Sequence, residues 1–221
     1  MALDVVPAEV AGVLREVARL GPYFEIATGV DGREWREFPG EGARLDALTG
    51  DYAERLGTDE RRVAASLLFQ GLAARVWSPV VAAAACGVVP DLAGLRWQSA
   101  PIALGVAEPR GQRVEDAAQA ASLIHPMVVD GLLGPLREAM RGFVNLADGL
   151  VWGNAASALA GSLNVGPPDP GRREIVRELL AREPLASVGT FGVDGYVRRN
   201  CCLYYRVPGG GMCGDCGLLE R

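Results

Sequence analysis

The chain has 221 residues, 49% hydrophobic and 22% charged, which is enough apolar mass for one large core or two modest ones and rules out a disordered or fibrous protein. Its 22 basic residues, all arginine, face 27 acidic ones for a formal charge of -5. That is the wrong sign for a broad grip on phosphate backbones, and no nucleic-acid partner is expected.

Met1 to Leu20 already carries Asp4, Glu9, Arg15, Glu16 and Arg19, the pattern of an amphipathic helix and not of an export signal. Val6, Val10, Val13, Leu14 and Val17 fall near one face, and Gly21-Pro22 stops the helix. Tyr23 to Ala27 suits a short strand, and Gly29 to Gly42 a loop or hairpin. Leu45 to Leu56 predicts a short helix ending at Gly57. Thr58, followed by Asp59 and Glu60, suits an N-cap with acids at the positive end of the dipole. A long helix is expected from there through Leu67, Leu68, Leu72 and Trp77, bending or restarting at Pro79 and finishing at Gly87. Cys86, at the end of that apolar run, is expected to be buried as a small hydrophobe.

Leu95 to Gln98 and Ile102 to Val106 predict two strands joined at Pro101, and Glu115 to Ile124 has only a faint helical pattern. Pro126 to Phe143 and Leu146 to Leu163 predict two more apolar helices. The uncharged stretches between Arg75 and Asp91 and between Asp148 and Asp169 are the best membrane-span candidates. The first is short and holds Pro79 and Pro90, and the second holds Asn154, Ser157, Ser162, Asn164 and Pro167, so no span is expected and the protein is placed in the cytoplasm. Gly166 to Gly171 is the clear linker and divides a body, 1–171, from a tail, 172–221. The body has 14 arginines against 21 acids, the tail 8 against 6, so the tail alone is mildly basic. The expected fold class is α+β, mostly helical, with a few short strands and a short cysteine-rich C-terminal segment packed on the body.

Cys201, Cys202, Cys213 and Cys216 carry the chemistry. A C-x-x-C turn lets two thiolates converge on a metal while backbone amides point at sulfur, and the amides of Gly214, Asp215 and Gly217 are placed to do so. Neighbours such as Cys201 and Cys202 point to opposite sides of an extended chain, so both serve one centre only if the backbone bends or the centre is large. A two-iron cluster meets the second condition better than one small ion. Pro208-Gly209-Gly210-Gly211 supplies the freedom to fold back. Two disulfides, a structural zinc site and an iron-sulfur cluster remain as alternatives; a Rieske centre needs two histidines, and the chain has only His125. His125 itself suits an N-cap or a satisfied surface group. Trp77, Trp97 and Trp152 suit core positions, and Trp35, in a loop, is a candidate for ligand contact. No P-loop or dinucleotide fingerprint is present, so electrons must come from outside.

The run from Arg198 through Cys201-Cys202-Leu203-Tyr204-Tyr205-Arg206, then Pro208 to Cys216, resembles the C-terminal iron-sulfur motif of the FhuF-like ferric-siderophore reductases, with its C-C-x10-C-x2-C spacing. The helix bearing Ser66, Gln70 and Trp77, the Leu95-Arg96-Trp97 segment and Val151-Trp152-Gly153-Asn154 resemble that family's helical N-terminal region more loosely. The resemblance implies a [2Fe-2S] cluster held by Cys201, Cys202, Cys213 and Cys216. It further implies one-electron reduction of a ferric siderophore, with electrons from a reduced ferredoxin or flavin-type reductase and possible docking at the inner face of the membrane. Arg198, Arg199 and Arg206 could favour the reduced cluster or attract an anionic iron complex, or form a solvated basic face. Tyr204 and Tyr205 could line the approach, or pack. The rival functions are a non-enzymatic iron- or siderophore-sensing module and a structural zinc protein.

Overall fold

The computed structural model describes residues 3–217, and helix predominates in it over strand. Helix α1 (Pro7–Ala18) buries Val10, Leu14 and Val17, the face that its periodicity marks. Two very short strands follow, β1 (Ala27–Thr28) and β2 (Arg36–Glu37). Helix α2 (Gly42–Leu56) ends at Gly57, whose positive φ of 63° closes the last turn.

Helix α3 (Arg61–Ala85) is the axis of the molecule, buried on nearly every side. Its N-cap is Glu60 and not Thr58, because the Thr58 hydroxyl accepts from the Glu60 amide at 3.2 Å and organises the turn just ahead of the helix. It also continues as one helix through Pro79, so the chain does not restart there. Burial on an all-round apolar helix offsets the roughly 3 kcal/mol that an interior proline costs. By length and composition α3 could cross a membrane, with a mean hydropathy of 1.3, but 72% of that stretch lies inside the fold. Cys86 caps its end in an exposed position, contrary to expectation: the helix turns outward there, at Gly87 with φ of 84°.

Beyond α3 lie β3 (Val88–Pro90), β4 (Arg96–Ser99), β5 (Ile102–Val106) and β6 (Gly111–Arg113). The expected pair at Pro101 forms as the antiparallel β4–β5 hairpin, in a sheet of order β1-β5-β4-β2 in which β1 runs parallel to β5. Trp97, fully buried, meets Phe38 edge to face at 5.9 Å. Strands β3 and β6 form a separate antiparallel pair.

Helix α4 (Ala117–His125) is capped by Asp116, which accepts from the Gln119 amide at 2.7 Å. The expected helix from Pro126 instead begins with wide π-type turns over Pro126–Leu133 before α5 (Gly134–Arg141). Pro126 and Pro135 remove amide donors there, which favours the looser winding. Helices α6 (Asp148–Gly161) and α7 (Pro170–Leu180) complete the helical set, and α7 buries Ile175, Val176 and Leu179 in the same core as α3. A hairpin, β7 (Gly189–Gly192) and β8 (Gly195–Arg198), then delivers the chain to the cysteines.

Candidate metal centre

Strand β8 places Tyr196 and Arg198 on its buried face and lies along α6. Glycine makes the approach possible. A Cβ at Gly149 would stand 3.0 Å from the Asn200 side-chain oxygen, and one at Gly153 would stand 3.3 Å from Arg198 Nη2. The guanidinium Nη2 donates to Asn154 Oδ1 at 2.6 Å, and Asn154 Nδ2 donates to the Ser66 carbonyl and hydroxyl at 2.8 and 2.9 Å. Ser66 Oγ in turn donates to the Cys202 carbonyl at 2.7 Å. All these groups are buried. A polar relay from α6 and α3 thus holds the first cysteine pair, and every link in it is charge-assisted or desolvated.

The chain bends just after that pair. Leu203 has φ of 70°, the left-handed conformation that a leucine adopts only at some cost. The amides of Leu203 and Tyr204 then face back toward the sulfurs of Cys201 and Cys202, at 3.3 and 3.5 Å. Amides aimed at sulfur stabilise the thiolate form and tune any metal centre built on it. The second pair arrives as a tight turn, with the Cys216 amide donating to the Cys213 carbonyl at 3.1 Å. That turn is fixed to β8 through the Arg198 amide, which donates to the Asp215 carbonyl at 3.1 Å. Gly217 sits so close that a Cβ there would come 2.1 Å from the Arg198 carbonyl oxygen. Arg206 closes the loop with a two-pronged ion pair to Glu60, at 2.8 and 3.0 Å.

All four cysteines are free thiols, with Cys202 and Cys216 buried and Cys201 and Cys213 half-buried. The two halves of the motif approach each other: the Cys202 side chain is near enough to that of Cys213 to bear on its ionisation. Burial pushes the Cys213 thiol well above its ordinary range, helped by that proximity and by the neighbouring Asp215 carboxylate. Among the described residues, no three His, Cys, Asp or Glu side chains converge as ligands of one ion do. A two-iron centre makes a different demand, for sulfurs in pairs around an extended core. Free thiols of both pairs near one another, amides directed at sulfur and shelter from solvent are features such a centre uses.

Residues 198–217 match the FhuF 2Fe-2S C-terminal domain. No curated protein matches the chain. The matched 2Fe-2S domain begins at Arg198, spans all four cysteines and ends at Gly217, so it coincides with the loop that the relay holds. Its cofactor is a [2Fe-2S] cluster.

The other residues marked by the sequence are dispersed around this loop. Arg198 is 2% exposed and belongs to no solvated face. Arg199 is exposed and donates to the Ser187 carbonyl at 3.1 Å, and Arg206 is engaged with Glu60. Tyr204 and Tyr205 lie on the surface at 37% and 49% exposure. Trp35 is half-buried against Gly105 of β5, where a Cβ would meet its ring at 3.1 Å.

A cleft of about 600 Å³ is lined by α3, α6, the β7–β8 hairpin and the C-x-x-C turn. Gln70 of α3 and Ser157 of α6, joined at 3.0 Å, form one wall. Tyr196 with Gly214 and Asp215, inside the C-x-x-C turn, forms the other. Tyr196 Oη and Asp215 Oδ2 are themselves buried away from the cleft space, so this wall presents their other atoms to a ligand. Burial raises the Tyr196 phenol to about 12 and keeps it protonated. Sequence reading missed Tyr196 and Asp215 as wall residues and Asn154 as the pivot of the relay; the one available signal was polar residues recurring within an apolar helix.

Proposed function

We propose that the chain is a ferric-siderophore reductase of the cytoplasm, with Cys201, Cys202, Cys213 and Cys216 as the ligands of its cluster. The observation that carries this reading is that the C-x-x-C turn is itself a wall of the 600 Å³ cleft. An iron complex seated there would touch Gly214 and Asp215, next to the half-buried Cys213, with no intervening layer of protein.

When bound, the cluster supplies a store for one electron at the loop. The chain's own residues do the rest. Ser66 and Asn154 fix the first pair of cysteines, Gly217 and Asp215 fix the second against β8, and the Leu203 and Tyr204 amides steady the sulfurs. Gln70 and Ser157 offer hydrogen bonds to the periphery of the substrate. The substrate Fe(III) gains one electron and leaves as Fe(II), which hard anionic oxygens hold far less tightly. A reduced ferredoxin or flavin-type reductase returns the electron from outside.

Anaerobically reduced protein mixed with ferric siderophores should yield one trapped Fe(II) per electron stored. Gly161 lines the cleft and a Cβ there would meet nothing within 4 Å, so Gly161→Trp puts its bulk into the space, and iron and sulfide content equal to native checks that the cysteine loop is intact. The variant should slow siderophore reduction at least tenfold yet leave reduction of ferricyanide, a small outer-sphere acceptor, unchanged. Equal rates with native protein for the siderophores would remove the cleft from the mechanism, and stoichiometric binding without Fe(II) release would replace the reductase with a sensor.

A further inference from the structure

Among the described residues, Arg198 has no counter-ion. Its side chain is 2% exposed and gives one hydrogen bond, to the neutral Asn154 amide, while Nε and Nη1 are buried and have no partner. Arginine keeps its charge in protein interiors, and an uncompensated buried cation is among the most costly features a fold can carry. The nearest acid in the motif does not relieve it. Asp215 contributes only its backbone carbonyl to Arg198, and its carboxylate acts on the Cys213 thiol instead. The fold nevertheless builds for this charge: Gly153 makes room for the guanidinium, and Asn154 is turned by two bonds to Ser66 so that its oxygen faces the arginine.

The backbone on both sides of the charge belongs to the cysteine loop. The Arg198 amide and carbonyl contact Asp215 and Gly217, which flank Cys216, and the guanidinium connects through Asn154 and Ser66 to the Cys202 carbonyl. We propose that Arg198 is a positioning residue for the electron: its buried charge is the internal counter-ion of the cluster, set there to favour the reduced state. This rests on the ligand set of the proposed function but not on its substrate. Four thiolates and two ferric irons bridged by two sulfides carry a net charge of -2, and uptake of one electron makes it -3. A fixed cation in a low-dielectric interior stabilises the second state more than the first. The electron comes from the external donor, and no proton need move.

The test is the midpoint potential of the reconstituted, loaded full-length chain, with iron and sulfide content measured alongside. Arg198→Gln removes the charge and keeps an amide donor for Asn154, and Arg198→Lys keeps the charge. The equilibrium constant for reduction should fall about tenfold or more in R198Q, equivalent to about 59 mV for one electron, and R198K should recover most of that loss. An R198Q potential equal to the native one, or R198K and R198Q shifted alike, overturns the proposal and leaves Arg198 a strut. If R198Q loads no cluster, the comparison passes to loading itself: uptake by R198K alone supports the charge, and failure of both overturns it. A loaded native chain that reduces no siderophore removes the proposed substrate and leaves this inference standing, whereas a native chain that takes up no cluster removes both.

Discussion

Replacing Ser66 with alanine cuts the relay at its central link. The native hydroxyl donates to the Cys202 carbonyl at 2.7 Å and accepts from Asn154 Nδ2 at 2.9 Å, in a site with no access to solvent. The amide of Asn154 keeps its second acceptor, the Ser66 backbone carbonyl at 2.8 Å, so the uncompensated loss is the Cys202 carbonyl. A buried acceptor left without a partner costs about 1–3 kcal/mol. For a chain of this size that corresponds to a fall in Tm of roughly 2–4 °C per kcal/mol. The metal-free S66A chain should show the loss in urea and thermal unfolding, and the loaded protein should release iron to a chelator faster, because the loop it unties carries Cys201 and Cys202. Ser122→Ala is the control: its hydroxyl lies at the surface, donating to the Ala118 carbonyl and accepting from Arg182 Nη2 at 3.1 Å, where water replaces both partners, and the expected change is within about 0.5 kcal/mol. If S66A were no more destabilised than S122A, or lost stability while iron release stayed native, the relay would not be what seats the cysteines.

Serine at Cys201, Cys202, Cys213 or Cys216 should each abolish a full complement of iron and sulfide and with it siderophore reduction, while Cys86→Ser, at an exposed position remote from the motif, should leave both native. Gly217→Ala forces a methyl group to within 2.1 Å of the Arg198 carbonyl and should cost about 1–3 kcal/mol along with cluster retention, whereas Gly214→Ala, whose Cβ meets nothing within 4 Å, should be tolerated; unfolding curves and iron analysis report both. The phenol of Tyr196 is raised from 10.0 to about 12 in the folded state, so the unfolded chain loses that proton first and its contribution to stability, complete below pH 10, should drain away as pH rises toward 12. Tyr196→Phe should remove that alkaline component from the pH dependence of unfolding and, because the buried hydroxyl has no partner, should not destabilise the fold at neutral pH.

Elements with their own internal signal were legible in the sequence. Helix α2 ends at Gly57 because only glycine turns left-handed there without cost, and the β4–β5 hairpin follows two alternating runs around Pro101. The four cysteines announced themselves by spacing alone. What stayed hidden depends on partners distant in sequence. Strands β7 and β8 have four residues each, two glycines among the first four, and no alternation strong enough to separate them from a loop. Asn154 looked like a polar blemish in an apolar helix, and it acquires meaning only against Ser66, 88 positions away, and Arg198, 44 away. The same holds for Arg198, which local pattern would place in solvent with Arg199. Proline misled in both directions: Pro79 does not interrupt α3, since the helix is locked on all sides, while Pro126 loosens the winding of a segment that periodicity marks as a plain helix.

The nearness of the Cys202 and Cys213 side chains has a bearing on how the chain ages. Two neighbouring sulfhydryl groups across the halves of a motif are one two-electron oxidation from a covalent bond, which would consume a ligand from each half and shut out iron until it is reduced. The apo chain in air is therefore the fragile form, and the inorganic core, once installed, is the protecting group of the very sulfurs that hold it.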